Sequence, residues 1–107
     1  MGESFQQGAL TEATYYILLA LCEPRHGYGI MQYITEISNN RVNLGAGTLY
    51  GALNTLVEKQ WIKSVSTEIK SRKKEYVITE SGIEVLKEEM KRLEELLQTG
   101  KVILKGE

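Results

Sequence analysis

The chain has 107 residues, 42% apolar and 25% charged, and its thirteen Lys and Arg against fourteen Asp and Glu leave a formal charge of −1. That balance fits one small folded unit and argues against a strongly basic nucleic-acid wrapper and against an acidic disordered tail. The longest apolar run, Tyr15 to Cys22, is eight residues, far short of the ~20 that cross a bilayer.

No Lys or Arg occurs in the first twenty residues, so a secretory leader is not expected and the cytoplasm is the expected location. A single cysteine (Cys22) and a single histidine (His26) exclude an intrachain disulfide and a four-ligand Cys/His zinc site. Neither metal nor cofactor is expected. Stability must come from a core that so short a chain builds only in part, which favours oligomerisation.

From Thr11, the run TEATYYILLALCEP reads as a helix with Thr11 as N-cap and Pro24 beyond its end. Almost all of Tyr15 to Leu21 is apolar, so this helix is expected to be covered from more than one side. After a glycine-rich hinge, RHGYG, Ile30, Tyr33, Ile34 and Ile37 recur at helical spacing and mark a second helix. A turn, NNRVNLGAG, leads into a third helix of about a dozen residues, with Leu49, Leu53, Leu56 and Val57 on its inner stripe.

The period then changes. WIKSVSTEI and KEYVIT, separated by a basic stretch, read as a two-stranded hairpin with a cationic tip. From Thr79 the chain is helical again, with Thr79 or Ser81 as N-cap and Ser81/Glu84 matching a capping box. Ile83, Leu86, Met90, Leu93 and Leu97 are spaced 3, 4, 3, 4, a heptad seam, and Glu88 with Arg92 forms a favourable i, i+4 pair. The expected fold is mainly α (α+β): a winged helix-turn-helix of three helices and a two-stranded β-wing over residues 1–79, then a C-terminal dimerisation helix over 80–107.

HGYGI at 26–30, GTLYGAL at 47–53 and RKKEYVITESG at 72–82 resemble, in order and spacing, three characteristic stretches of the PadR family of bacterial transcriptional regulators. The resemblance runs from about Leu10 to Leu97. It implies a dimeric winged helix-turn-helix repressor whose C-terminal helix forms the dimer interface, and the single helix after the wing is similar to the compact PadR subfamily. Gln60 and Ser71 stand where many members carry glycine, and Asn54 where many carry a basic residue.

On a helical wheel, Gly47, Gly51, Thr55 and Glu58 lie opposite the buried stripe of the third helix, with Thr48, Tyr50 and Asn54 on its flanks. Exposed helical glycines cost about 1 kcal/mol each relative to alanine, so Gly47 and Gly51 are expected to let the backbone approach a major groove, unless Gly47 belongs to the loop. Asn54 suits adenine and the Thr48 methyl suits thymine. Tyr50 either packs on the core or reaches a phosphate.

Lys70, Arg72, Lys73 and Lys74, with Ser71 among them, place four cations within five residues at the wing tip, suited to phosphate neutralisation. Residues 1–79 carry a net +1 and residues 80–107 a net −2, so the basic character is local to the wing. His26 and Tyr28, at the start of the second helix, either contact a phosphate or pack.

The seam is too short to stand alone as a coiled coil. Tyr15, Tyr16 and Leu19 of the first helix are therefore expected to join Ile83, Leu86, Met90, Leu93 and Leu97 in a homodimer interface. The partners expected are double-stranded DNA with a palindromic operator and a second copy of the chain. No inducer is named by the sequence. The terminal helix from Glu80 onward lacks Trp, Tyr, Phe and His, so it offers no aromatic sandwich, although Tyr15 and Tyr16 could line a pocket.

No nucleophile, base and orienter set is present, so an enzyme is not expected. A winged-helix module that binds proteins instead of DNA is the alternative, kept open by an uncharged third helix carrying Glu58.

Overall fold

A helix begins where a side chain takes over an orphan backbone donor, and three of the four α-helices among the described residues start that way. The computed structural model describes residues 8–65 and 74–104. Thr11 accepts from the Thr14 N–H at 3.0 Å and opens α1 (Glu12–Ala20). His26 caps α2 (Gly27–Ile37), its Nδ1 accepting from Gly29 N–H at 3.4 Å. Thr79 accepts from Gly82 N–H at 3.1 Å and opens α4 (Glu80–Ile103). Thr79 is thus the cap, and the Ser81/Glu84 box is not used. Only α3 (Ala46–Glu58), entered through Gly45, has no side-chain cap.

Three strands accompany the helices. The hairpin is β2 (Ile62–Val65) paired antiparallel with β3 (Glu75–Ile78), and β1 (Arg25–His26) adds to the other side of β3 in the order β1-β3-β2. The expected two-stranded wing is therefore part of a three-stranded sheet. Two residues are too few to show an alternating pattern, and the glycines that follow read as a hinge. The hairpin tip lies outside the described residues.

Isoleucines and leucines at helical spacing form one core: Ile17, Leu18 and Leu21 from α1 and its C-cap, Ile30 and Ile34 from α2, Leu49, Leu53 and Leu56 from α3. Ile62, Tyr76 and Ile78 of the sheet and Val85 and Leu86 of α4 complete it. The core thus crosses the division expected at residue 80. Val57, expected on the α3 stripe, is 39% exposed. Ala52 packs there instead, because position 57 falls at the rim of an arc centred between Leu49, Leu53 and Leu56.

Two tight turns set the helices' mutual positions. Asn39 and Asn40, between α2 and α3, have φ of 55° and 66°, and Gln60, at the end of α3, has φ of 65°. Asparagine tolerates this left-handed region, whereas Gln60 holds it as a residue with a long side chain. Thr79 secures that corner, its hydroxyl donating to the Gln60 carbonyl at 2.7 Å and its N–H to the Trp61 carbonyl at 2.9 Å. Arg41 pairs with Glu12 at 2.6 Å, tying the turn back to the start of α1.

Glu89 of α4 is buried, 4% exposed. Arg92 donates to both its oxygens, Nε to Oε1 at 3.0 Å and Nη2 to Oε2 at 2.5 Å. Arg92 therefore takes Glu89 and not Glu88, because the closer residue faces the body, where a fork of two donors is worth most. The Arg92 guanidinium holds the Glu89 carboxyl below the usual carboxylate range, and the backbone N–H of Leu10 helps. A depressed value means that the link is fully present above the ordinary carboxylate range and is lost as pH falls through the lowered value. Glu89→Gln is expected to cost about 1 to 3 kcal/mol near neutral pH, and the melting-temperature gap to the native protein should close as the pH is taken down below the ordinary carboxylate range. A gap independent of pH would contradict the ion pair.

Candidate nucleic-acid interface

The elements meet so that α3, the N-terminus of α2 and the base of the hairpin share one face. Their common cleft, about 610 Å³, is lined by His26, Gly27, Tyr28, Tyr50, Asn54, Lys74 and Tyr76. Three separate stretches of sequence, each singled out above, are brought together there.

On α3, Gly47, Thr48, Gly51, Asn54 and Thr55 are all exposed. The helix begins at Ala46, so Gly47 lies inside its first turn and not in the loop. A β-carbon added at Gly47 or Gly51 would meet nothing within 4 Å. Nothing among the described residues requires glycine at either place. Thr55 donates its hydroxyl to the Gly51 carbonyl at 3.2 Å, which leaves its methyl and a lone pair outward. Asn54 keeps both ends of its amide free among the described hydrogen bonds.

Tyr50 answers neither of its two expected roles alone. Its ring crosses from α3 to α2, where the hydroxyl end lies so close to Gly27 that a β-carbon there would overlap it. The side is nonetheless 44% exposed. A side chain at position 27 would therefore push the outer end of the Tyr50 ring aside towards solvent. Tyr76 of β3 stands behind it, and its burial, with Tyr50 beside it, pushes the phenol above its usual range. Tyr76 therefore stays a neutral donor at physiological pH.

At the α2 N-terminus, His26 is half-buried and its Nδ1 is occupied as the cap. An accepting Nδ1 leaves the proton on Nε2, which can donate outward. Tyr28 is 62% exposed, its hydroxyl accepting from Gln32 Nε2 at 3.2 Å, so it lies on the surface and not in the core. Arg25, basic and nearby, is spent on the fold: it donates to the Ala20 carbonyl at 2.8 Å and lies over the Tyr33 ring at 3.8 Å. Of the wing cations, Lys74 is exposed at the base of β3, and Lys70, Ser71, Arg72 and Lys73 lie outside the described residues.

The expected dimer residues divide. Ile83, Met90, Leu93 and Leu97 of α4 are 38%, 51%, 40% and 57% exposed, large values for apolar side chains. Tyr15, Tyr16 and Leu19 are half-buried against the core, the two tyrosine rings edge-on at 6.0 Å. Leu86 is different: it is buried in the subunit's own core, because the first two turns of α4 pack on α1 and β3 before the helix leaves them. Sequence reasoning missed that Leu104 continues the seam and that Leu96, Val102 and Ile103 are further exposed apolar residues around the same end of the helix. The signal was present in LEELLQTGKVIL, where apolar residues recur past the fifth seam position.

Among the described residues no helix is long and apolar enough to cross a membrane, and no cluster of His, Cys, Asp and Glu could hold a metal ion. The architecture is a winged helix-turn-helix with a long C-terminal helix.

A family model described as the transcriptional regulator PadR-like family matches residues 17–88. A transcriptional regulator from Clostridium thermocellum is 31% identical, with a TM-score of 0.65 over 88% of this chain and 90% of that one. Bacillus subtilis PadR, in a structure with operator DNA, is 26% identical with a TM-score of 0.64, over 73% of this chain and 46% of that one. An uncharacterized 37.1 kDa protein of a Streptomyces fradiae transposon is 39% identical over 79 residues, 73% of this chain and 22% of that protein. The chain thus spans about a fifth of the length of that relative.

Proposed function

The chain belongs to the PadR-like family of transcriptional regulators, and from that premise we propose that it is a homodimeric, sequence-specific DNA-binding repressor. Each subunit lays α3 in the major groove of one half-site of a palindromic operator. Half-site centres are then about 10 bp apart, or a multiple of that. The wing cations Lys70, Arg72, Lys73 and Lys74, with Ser71, bind flanking phosphates, and His26 Nε2 and Tyr28 contact the backbone beside the α2 N-terminus. Asn54 reads an adenine edge, while Thr48 and Thr55 offer methyl groups to thymine. The dimer forms along α4, where Ile83, Met90, Leu93 and Leu97 of one subunit meet the other with help from Tyr15, Tyr16 and Leu19. The comparison with a relative bound to operator DNA supports the reading.

One observation carries it furthest. Gly51 sits in the middle of α3 with open space where its β-carbon would be. A residue that weakens a helix by about 1 kcal/mol relative to alanine, with no neighbour among the described residues that demands it, is explained by what approaches from outside. Replacing Gly51 with alanine should therefore raise the melting temperature by about 4 °C or more and weaken operator binding at least tenfold. Stability and affinity moving in opposite directions is the diagnostic result. Equal or tighter DNA binding by Gly51→Ala would refute the close approach of α3 to the groove.

A further inference from the structure

Helix α3 ends on a residue in a costly conformation. The Gln60 N–H donates to the Val57 carbonyl at 2.9 Å and the Trp61 N–H to the Leu56 carbonyl at 3.1 Å, the paired bonds of a Schellman motif, whose turning residue is left-handed and usually glycine. Here that residue is Gln60, with φ of 65°. A side chain with a β-carbon persists in this region where its surroundings hold it there.

Thr79 supplies the hold. Its hydroxyl donates to the Gln60 carbonyl at 2.7 Å and accepts from the Gly82 N–H at 3.1 Å, so a single oxygen closes α3 and opens α4. Its own N–H donates to the Trp61 carbonyl at 2.9 Å, and Gly82 has no β-carbon to collide with that carbonyl. Elsewhere α4 rests on α1 and β3, burying the apolar Val85 and Leu86. Hydrogen bonds are directional and apolar contacts are not, so this corner fixes an orientation where the apolar contact fixes a proximity. Capping α4 needs only an acceptor oxygen. The proton given to Gln60 is a second task, and it is the one that reaches α3.

The thirteen residues of α3 span about 20 Å at 1.5 Å per residue. A rotation of the body on α4 by about 10° about this corner would move the far end of α3, where Gly47 and Thr48 lie, by about 3.4 Å, the step from one base pair to the next.

We propose that Thr79 is a positioning residue: by donating to the Gln60 carbonyl it fixes α3 against α4, and thereby the half-site separation that the dimer accepts. The inference rests on the homodimeric DNA-binding reading above. In a dimer joined along α4, two-fold symmetry applies any rotation at the corner twice, once in each subunit. A fixed corner restricts binding to one separation, and a loose one admits its neighbours.

The test takes the palindromic duplex that the native chain enriches from a random pool and remakes it with the half-sites one base pair closer together or further apart. The native chain should bind these neighbours at least tenfold more weakly than the original. Thr79→Ser keeps the hydroxyl and should keep that sharp profile. Thr79→Asp caps α4 at least as well as threonine, but its carboxylate has no proton to donate. It should sediment as a dimer and bring the neighbours within about threefold of the optimum. Should Thr79→Asp not fold, Thr79→Ala removes the donor without adding a charge and should broaden the profile likewise.

A sharp native profile that neither Thr79→Asp nor Thr79→Ala broadens overturns the role of Thr79 alone, as does a native chain that binds all three separations alike. A native chain that enriches no duplex overturns the DNA-binding reading, and this inference with it.

Discussion

Converting Arg72, Lys73 and Lys74 together to alanine should lower operator affinity on the order of 10²-fold at low salt while leaving the fold intact. Each phosphate contact that is lost flattens the slope of log affinity against log salt by about 0.9, so the three changes should flatten it by up to about 2.7 per subunit. The electrostatics are local. The whole chain is nearly neutral and has no long-range attraction to a polyanion to lose, so the electrostatic part of binding must come from a few cations placed together. Lys and Arg are seldom core residues, so stability should change by no more than the ~0.5 kcal/mol usual for changes outside a core, and the melting temperature should barely move. Binding and salt slope like those of the native chain would mean that the wing does not lie on the phosphate backbone.

Gly82→Ala should have the largest effect on stability. Gly82 is buried in the first turn of α4, and a β-carbon there would run into the Trp61 carbonyl oxygen and the Ile78 side chain. The carbonyl is backbone, and it already accepts from Thr79 N–H, so it cannot retreat without giving up the bond that closes the corner between α3, the wing and α4. Helix propensity alone would make alanine favourable by about 1 kcal/mol, and the clash must reverse that gain. Overpacking against fixed backbone costs about 1 to 3 kcal/mol and occasionally more. On a domain of this size that means a fall in melting temperature of roughly 5 to 20 °C, measured by circular dichroism. An unchanged or higher melting temperature would contradict the packing described for this corner. The contrast with Gly51→Ala, which should stabilise, is itself informative: two helical glycines, one enclosed and one open, should respond with opposite signs.

Much of the fold is legible in the sequence because helical periodicity is strong where one face is buried. Leu49, Leu53 and Leu56, and likewise Ile30 and Ile34, announce their helices and their inner faces together, and Thr11 is a cap by residue type, while Thr79 and Ser81 are equal candidates between which the structure selects Thr79. What escaped depends on contacts between distant segments. Strand β1 exists only because Arg25 and His26 lie beside Tyr76 and Glu75, and two residues carry no period of their own. Glu89 reads as one more polar residue of a charged helix, and Glu88 is an equally good partner for Arg92 on spacing alone. Only the packing of α4 on α1 decides between them. Leu86 fits a heptad seam, yet the body reaches far enough along α4 to claim it.

The candidate interface was legible in its parts and not in its assembly. Gly51, Asn54 and Lys74 stand out by type, charge or exposure. That Tyr50 bridges α3 to Gly27 and backs onto Tyr76 requires the fold, because three separate stretches converge there.

Whether α3 and the wing together read DNA is decided by selecting duplexes from a random pool and footprinting the enriched sequence at increasing salt. The expected outcome is a palindrome protected at two half-sites on one face of the duplex, centred about 10 bp apart or a multiple of that, with affinity falling steeply as salt rises. A pool that yields no preferred sequence, or binding indifferent to salt, would contradict it.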